Sequence, residues 1–272
     1  MQHQEIEPPE ALQEAIHDFW YLSRDFEERE PSFEVTPDGF AEIIFTFGSP
    51  CSIATPDGWQ PLPSPFLVGL LNQPIRFRVQ SRLELIGIKC FPWAVFELLG
   101  LPPSQAGVQM ITHPLAQLQA PLQQLLAVGR VAEALATVAQ YVEKTQTRRV
   151  GDPLLGKAGS AMRAAGGTLP VSQVAAAAHS TVRTLERKFK QAAGRTVKDV
   201  AVLLRLEQAR YQLWQHPAAN LAHLAQELGY SDQAHLGREF KRYCGTTPAA
   251  FARQAQRWQQ AVSPDFVAFL LA

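Results

Sequence analysis

Two short segments of this chain set charged and amide side chains one helical turn apart around a pair of apolar residues. In 180–194, Leu185 and Phe189 stand at i, i+4 and turn inward, which leaves Arg183, Glu186, Arg187 and Lys190 outside. In 231–245, Leu236 and Phe240 do the same and leave Gln233, His235, Arg238, Lys241 and Arg242 outside. The chemistry open to such sets is recognition of a polyanion with patterned edges. An arginine can donate two hydrogen bonds to guanine O6 and N7, a glutamine can pair with adenine, and a glutamate can accept from cytosine N4. Lysines and arginines that neutralise phosphates add affinity without sequence preference.

Each segment needs an element that holds it. Before the second lies an amphipathic helix at 221–228, with Leu221, Leu224, Ala225 and Leu228 on one face. Gly229 stands where that helix stops, and Ser231 and Asp232 are N-cap candidates for the next one. Gly245 closes the second helix, and Thr247-Pro248 opens another with proline in its first turn. Helix, turn with glycine, then a helix with a basic outer face is the layout of a helix-turn-helix reader. The pattern occurs twice. Ser180, Leu185, Arg187, Phe189, Lys190 and Gly194 each lie fifty-one positions before Ser231, Leu236, Arg238, Phe240, Lys241 and Gly245. In the earlier copy Ala178 and His179 fall opposite Gly229 and Tyr230, so its turn is less well marked. Between the copies, 197–215 reads as a long helix with Val200, Leu203, Leu204, Ala209 and Leu213 along it. At roughly 1.5 Å per residue it is a strut of about 28 Å. That suits two readers at groove openings about 34 Å apart.

The doubled motif, ending in GYSDQAHLGREFKRYCGTTPAAF, resembles the DNA-binding domain of AraC/XylS-type transcriptional regulators. The resemblance implies that Thr181, Arg183, Glu186 and Arg187 face bases, with Lys188 and Lys190 turned to phosphate or solvent. In the second helix the matching positions are Gln233, Ala234, His235, Gly237 and Arg238. Two of these are small, so the first helix is expected to discriminate more. The alternative for Arg187 and Arg238 is a salt bridge within the domain, to Glu227 or Glu207; for His235 it is plain exposure.

The net charge of zero hides an asymmetry: 1–150 holds 10 Lys+Arg against 17 Asp+Glu, and 151–272 holds 15 against 8. A basic C-terminal half joined to an acidic one places nucleic acid at the C-terminal half. The opening MQHQEIEPPE is acidic and polar, unlike a signal peptide, and no apolar run is long enough to span a bilayer. Cys51, Cys90 and Cys244 are scattered and odd in number, which reads as reduced thiols in a cytoplasmic protein.

The N-terminal half begins with an apolar stripe at 9–22, Leu12, Ile16 and Phe19 or Trp20, expected to be a short helix. Strand-like runs follow at 33–36, 41–47, 51–54, 65–70, 75–79 and 83–90, separated by Pro, Gly and Asp, the pattern of a small barrel or sandwich. Helices are expected at 92–99, at 115–128 with Pro121 breaking or restarting it, and at 131–144. This half resembles the cupin-like sensor domains found in front of AraC-type domains. Residues 146–152 read as a linker, 153–165 as the first helix beyond it, and the apolar tail from Trp258 as a segment that packs back or self-associates.

The fold class is therefore α+β, with a sensor or dimerisation domain at 1–148 and an all-helical DNA-binding domain at 149–272, its readers at about 170–194 and 220–245. His3, His17 and His113 are too scattered for a metal cupin, and no phosphate loop, nucleophile elbow or HExxH helix occurs. No catalysis, metal or cofactor is expected. Phe45, Phe47, Phe77 and Trp93 are the candidates for enclosing a small apolar or aromatic effector, or else for filling a dry core. The expected function is a cytoplasmic, sequence-specific regulator controlled by a small molecule, an activator or a repressor, since the sequence does not give the sign of regulation. Its expected partners are promoter DNA in the major groove, an effector, RNA polymerase and a second copy of itself, with no membrane. The alternatives are a ligand-independent regulator with an N-terminal interaction module, or a cupin-type enzyme.

Overall fold

The computed structural model describes residues 2–26, 31–145 and 152–258. Among the described residues ten strands make the N-terminal part: β1 Gln2–Ile6, β2 Ile16–Asp25, β3 Ser32–Val35, β4 Ala41–Gly48, β5 Ser52–Thr55, β6 Gly58–Pro61, β7 Phe66–Val68, β8 Ile75–Arg78, β9 Arg82–Cys90 and, after the short helix α1 Val95–Leu98, β10 Val108–Met110. One sheet runs β1-β2-β9-β4-β7-β10 and the other β3-β8-β5-β6. Neither closes on itself, so the sandwich form of the expected barrel or sandwich is the one built. Trp20, Leu22, Ile44, Phe66 and Leu85 of the larger sheet meet Phe33, Val35 and Phe77 of the smaller one. The other face of the larger sheet carries Phe19, Ile43, Phe45, Ile86 and Ile88. They share a core with Leu122 of α2 Gln119–Ala127 and with Leu135, Val138 and Val142 of α3 Val131–Thr145.

Burial on both faces explains one correction. Residues 9–22 are not a helix: Glu10–Leu12 makes a single 3-10 turn, and Ile16 starts β2. A strand covered on both sides carries apolar residues at successive positions, and such a run imitates a helical stripe. The polar strand β1 pairs along β2, and β6 and β10 form sheet edges; these three strands were not expected. The helix expected from 115 begins as a 3-10 turn, Pro114–Leu118, and restarts as α2 with Pro121 in its first turn.

The C-terminal part is helical: α4 Pro153–Ala164, α5 Val171–Ala177, α6 Val182–Ala193, α7 Val197–Gln215, α8 Leu221–Glu227, α9 Gln233–Cys244 and α10 Pro248–Trp258. Of the expected linker and tail, 146–151 and 259–272 lie outside the described residues. Asp152, the last linker residue, caps α4 by accepting from Leu154 N–H at 2.9 Å. Phe189 and Phe240, the repeated phenylalanines, are both fully buried.

The repeat is not of constant period. The recognition helices α6 and α9 begin fifty-one residues apart, at 182 and 233, but α5 and α8 begin fifty apart, at 171 and 221. The second turn is one residue longer. The left-handed residue of the first turn is therefore His179, at φ 51°, in the place Gly229 takes at φ 71°. Sequence alignment at fifty-one had put Ala178 there.

The two parts share one apolar core. Trp93 stacks on Phe91 with centroids 5.2 Å apart and meets the Phe189 ring at 5.8 Å. On α4, Gly159 leaves the space the indole occupies: a Cβ there would lie 2.1 Å from Trp93 Cζ2. A polar seam lies against α7. Asp18, Lys89 and Glu42 stand in register across β2, β9 and β4. Above them Arg210 of α7 donates from Nη1 to the Pro37 carbonyl at 2.9 Å. Burial and then the Asp38 charge push the Glu42 carboxyl up to about 8. Burial opposes charge on Lys89, but Asp38, Glu42, Glu207 and Asp18 outweigh it and hold the ammonium above its ordinary range. The same causes, burial first and then Asp38, raise Glu207 of α7.

Candidate nucleic-acid interface

Each recognition helix starts on a cap and ends on a left-handed glycine. Thr181 Oγ1 accepts from Thr184 N–H at 3.2 Å to open α6, and Gly194 ends it at φ 67°. Asp232 Oδ1 accepts from His235 N–H at 2.6 Å to open α9, and Gly245 ends it at φ 70°. Of the two N-cap candidates Ser231 and Asp232, the aspartate does the capping. The hydrogen bond from His235, ahead of a small opposing desolvation, lowers its pKa.

On α6 the side chains of Arg183, Arg187 and Lys190 are exposed on one side of the helix, opposite Leu185 and Phe189. Arg187 Nη1 donates to Gln191 Oε1 at 3.0 Å, which pre-orients the guanidinium along the helix. Glu186 is used internally: its Oε2 accepts from Val197 N–H at 3.3 Å and ties α6 to the first turn of α7. Its second oxygen is what remains for a base. Thr181 is likewise engaged in capping. Lys188 was expected at phosphate or solvent, but it pairs with Asp152 on the side of α6 away from Arg183 and Arg187. Helical spacing could not show this, because 188 lies between the inward and outward stripes.

On α9, Gln233, Ala234, Arg238, Lys241 and Arg242 are exposed. Arg242 lies over the Tyr243 ring at 5.2 Å. His235 is neither plainly exposed nor poised outward: Nδ1 lies 3.2 Å from Ser231 Oγ, Nε2 lies 3.7 Å from Glu239, and the ring meets Tyr230 edge-on. The salt bridges weighed for Arg187 and Arg238 do not form: Glu227 pairs with His223 on its own helix, and Glu207 lies in the seam against β4 and β9. One surface residue was missed. Val182, in the first turn of α6, is 43% exposed. An isopropyl group beside Arg183 suits contact with a thymine methyl. An apolar residue at a helix start signals packing in a sequence, so only its exposure reveals it.

The aromatic effector candidates do not line one cavity. Alternation along β4 sends Phe45 and Phe47 to the helix-covered face, while Phe77 projects into the sandwich interior and Trp93 sits against α4 and α6. The sandwich interior holds a cavity of about 20 Å³, lined among others by Phe33, Ile44, Cys51, Phe66 and Phe77, with Glu42 at its edge. Burial pushes the Cys51 and Cys244 thiols up to about 12, and Cys90 is raised as well, so all three act as small apolar side chains. Among the described residues no three His, Cys, Asp or Glu side chains converge as metal ligands, and no helix is long and apolar enough to cross a membrane.

Residues 174–254 match a helix-turn-helix domain family, and residues 4–112 match a domain of unknown function, DUF6597. The Msm operon regulatory protein of Streptococcus mutans is 24% identical over 91 residues, which cover 34% of this chain and 32% of that protein. The match thus spans about a third of the relative's length. Among solved structures, ToxT from Vibrio cholerae aligns over 86% of this chain and 98% of its own at 7% identity and a TM-score of 0.47. An AraC-type regulator from Chromobacterium violaceum aligns over 38% of this chain and 92% of its own at 28% identity and a TM-score of 0.36. The DNA-binding domain of AdpA, solved with a target DNA, aligns over 41% and 100% at 23% identity and a TM-score of 0.37. The twice-capped, doubled reader and the match of 174–254 across both copies show a helix-turn-helix domain in the C-terminal part.

Proposed function

We propose that the protein binds a promoter through two adjacent major-groove openings, one for each recognition helix, and that a small molecule acting on the N-terminal part adjusts that binding. The carrying observation is the arrangement around α7. This single 19-residue helix joins the two readers. Their basic faces are exposed, while the N-terminal part packs on the back of the first reader and on α7 itself. A molecule that binds the docked arrangement differently from a loosened one changes operator affinity by that difference and by no more. DNA contact by Arg183, Arg187, Lys190, Gln233, Arg238 and Arg242 supplies affinity and base preference. The reading assigns the chain no catalytic step. Contact with RNA polymerase and pairing with a second copy complete it.

The test is the salt dependence of operator and random-duplex binding by the full chain. Each phosphate contact contributes a slope of about −0.9 in log K against log salt. The reading expects a steep slope for both duplexes and an operator preference that survives high salt. A slope near zero would remove nucleic acid as the partner.

A further inference from the structure

Lys188 of the first recognition helix and Glu239 of the second occupy the same place in the repeat, fifty-one residues apart. Each directly follows an exposed arginine, Arg187 or Arg238. The next residue along a helix points about 100° round it, so these two side chains turn from the open face towards the helix beneath. Each meets one opposite charge there. Lys188 Nζ pairs with Asp152 Oδ2 at the start of α4, and Glu239 Oε2 lies 4.0 Å from Arg205 Nη2 in the middle of α7. The polarity is reversed between the units: the first carries its cation on the recognition helix, the second on the scaffold helix. All four side chains are between 16% and 32% exposed, so both pairs are better shielded from water than an ordinary surface pair.

Other contacts hold both scaffold charges in place. Asp152 uses Oδ1 to cap α4 at Leu154 N–H, which leaves Oδ2 for Lys188. The Arg205 guanidinium lies 5.0 Å from the centre of the buried Tyr230 ring. Its stem runs so close to Gly167 that a Cβ there would stand 3.1 Å from Arg205 Cγ. Glu239 is steadied from its own helix too, with Oε1 3.7 Å from His235 Nε2. A charge already fixed loses little side-chain freedom on pairing, so such a pair holds its geometry better than a mobile one.

We propose that Lys188 and Glu239 are positioning residues. Each clamps its recognition helix to its own scaffold helix, α6 to α4 and α9 to α7, and so sets the angle at which Arg187 or Arg238 and its neighbours meet the groove. Neither touches DNA. A recognition helix laid on the other scaffold would set Lys188 against Arg205 or Glu239 against Asp152, and the like charges disfavour that exchange. The role rests on the two-groove reading above.

The test is made mainly in the second unit, because Asp152 also caps α4. The probe is the duplex that the unmutated full chain selects from random DNA, together with its single-base variants. The half disturbed by Arg187→Ala is the α6 element, and the other half is the α9 element. Glu239→Lys and Arg205→Glu should each reduce base discrimination in the α9 element about tenfold and leave the α6 element unchanged. The exchanged pair, Arg205→Glu with Glu239→Lys, has the polarity of the first unit and should recover discrimination to within about twofold. Lys188→Glu should reverse the pattern and blur the α6 element alone. Discrimination is read, not affinity, because an extra cation strengthens binding to any duplex. Should a charge-reversed variant unfold, Glu239→Gln and Arg205→Met serve instead, and the two together should lose no more than either alone. Full discrimination in Glu239→Lys, equal losses in both elements, an exchanged pair no better than its single variants, or additive losses in the neutral pair would each overturn the clamps and leave the two-groove reading standing. An unmutated chain that selects no two-element duplex would overturn that reading and the clamps with it.

Discussion

The two readers repeat the same helices but are held differently. The first is built into the N-terminal part: Phe189 touches Trp93, Gln105 donates to the Gly194 carbonyl at 2.8 Å, and Arg195 reaches the Leu70 and Gln105 carbonyls. The second hangs from α7 and α10 through Phe240 and Phe251, and Pro74 lies beside its closing Gly245. Their reading faces differ too. The first presents Arg183, Arg187 and Lys190; the second interleaves Ala234 and Gly237 among its polar residues. The repeat is thus packed unequally, its first unit into the N-terminal part and its second chiefly against α7 and α10.

The sharpest break comes from one substitution made in each unit. Gly159→Ala forces its methyl into the Trp93 indole, at 2.1 Å, and should cost about 1–3 kcal/mol of stability as the dock shifts. Gly237→Ala on α9 meets nothing within 4 Å and should stabilise by about 0.5–1 kcal/mol, the ordinary gain for a helical glycine. Urea denaturation of both variants checks the opposite signs; the same sign in both would erase the contrast.

Arg187→Ala should lose about 1–3 kcal/mol at one base pair, because Gln191 pre-orients that guanidinium for readout. Arg238→Ala should weaken all sequences evenly, as a phosphate contact does. Binding measured across a set of single-base operator variants separates the two, and a uniform loss for Arg187→Ala would contradict the assignment.

The seam against α7 is expected to respond to pH. The Glu42 carboxyl is raised to about 8, so the folded chain holds a proton that the unfolded chain releases above the ordinary value of 4.5. Its contribution is fully present below about 4.5 and is lost as pH rises toward 8, at a limit of about 1.4 kcal/mol per pH unit for one proton. The denaturation midpoint should fall between pH 6 and 8, and Glu42→Gln should flatten that fall. A slope unchanged in the variant would place the proton elsewhere. The smallest effect is at the turn. His179→Gly relieves a left-handed histidine at φ 51° and, after glycine's own entropy cost, should gain about 0.5–1 kcal/mol in thermal denaturation.

Much of the helical part was legible because its residues obey local rules. Asp232 and Gly245 cap α9 as their types indicated, Gly194 closes α6 in the same way, and α7 spans 197–215 as its stripe indicated, whereas Thr181, expected at a base, caps α6. Misreadings arose where tertiary packing overrode local pattern. β2 lost its alternation because both its faces are covered, and β1 is polar because it takes its place by pairing with β2. Glu186 and Lys188 have the composition of DNA contacts but are spent on Val197 and Asp152, which lie eleven and thirty-six residues away. The split of Phe45 and Phe47 from Phe77 required knowing which face of β4 meets the second sheet.

Selection from random duplex DNA with the full chain tests the central claim most directly. The account predicts a recovered motif of two elements about ten base pairs apart, with the element under α6 the more sharply defined. A single element, or two elements of which the α9 half carries more information, would contradict it.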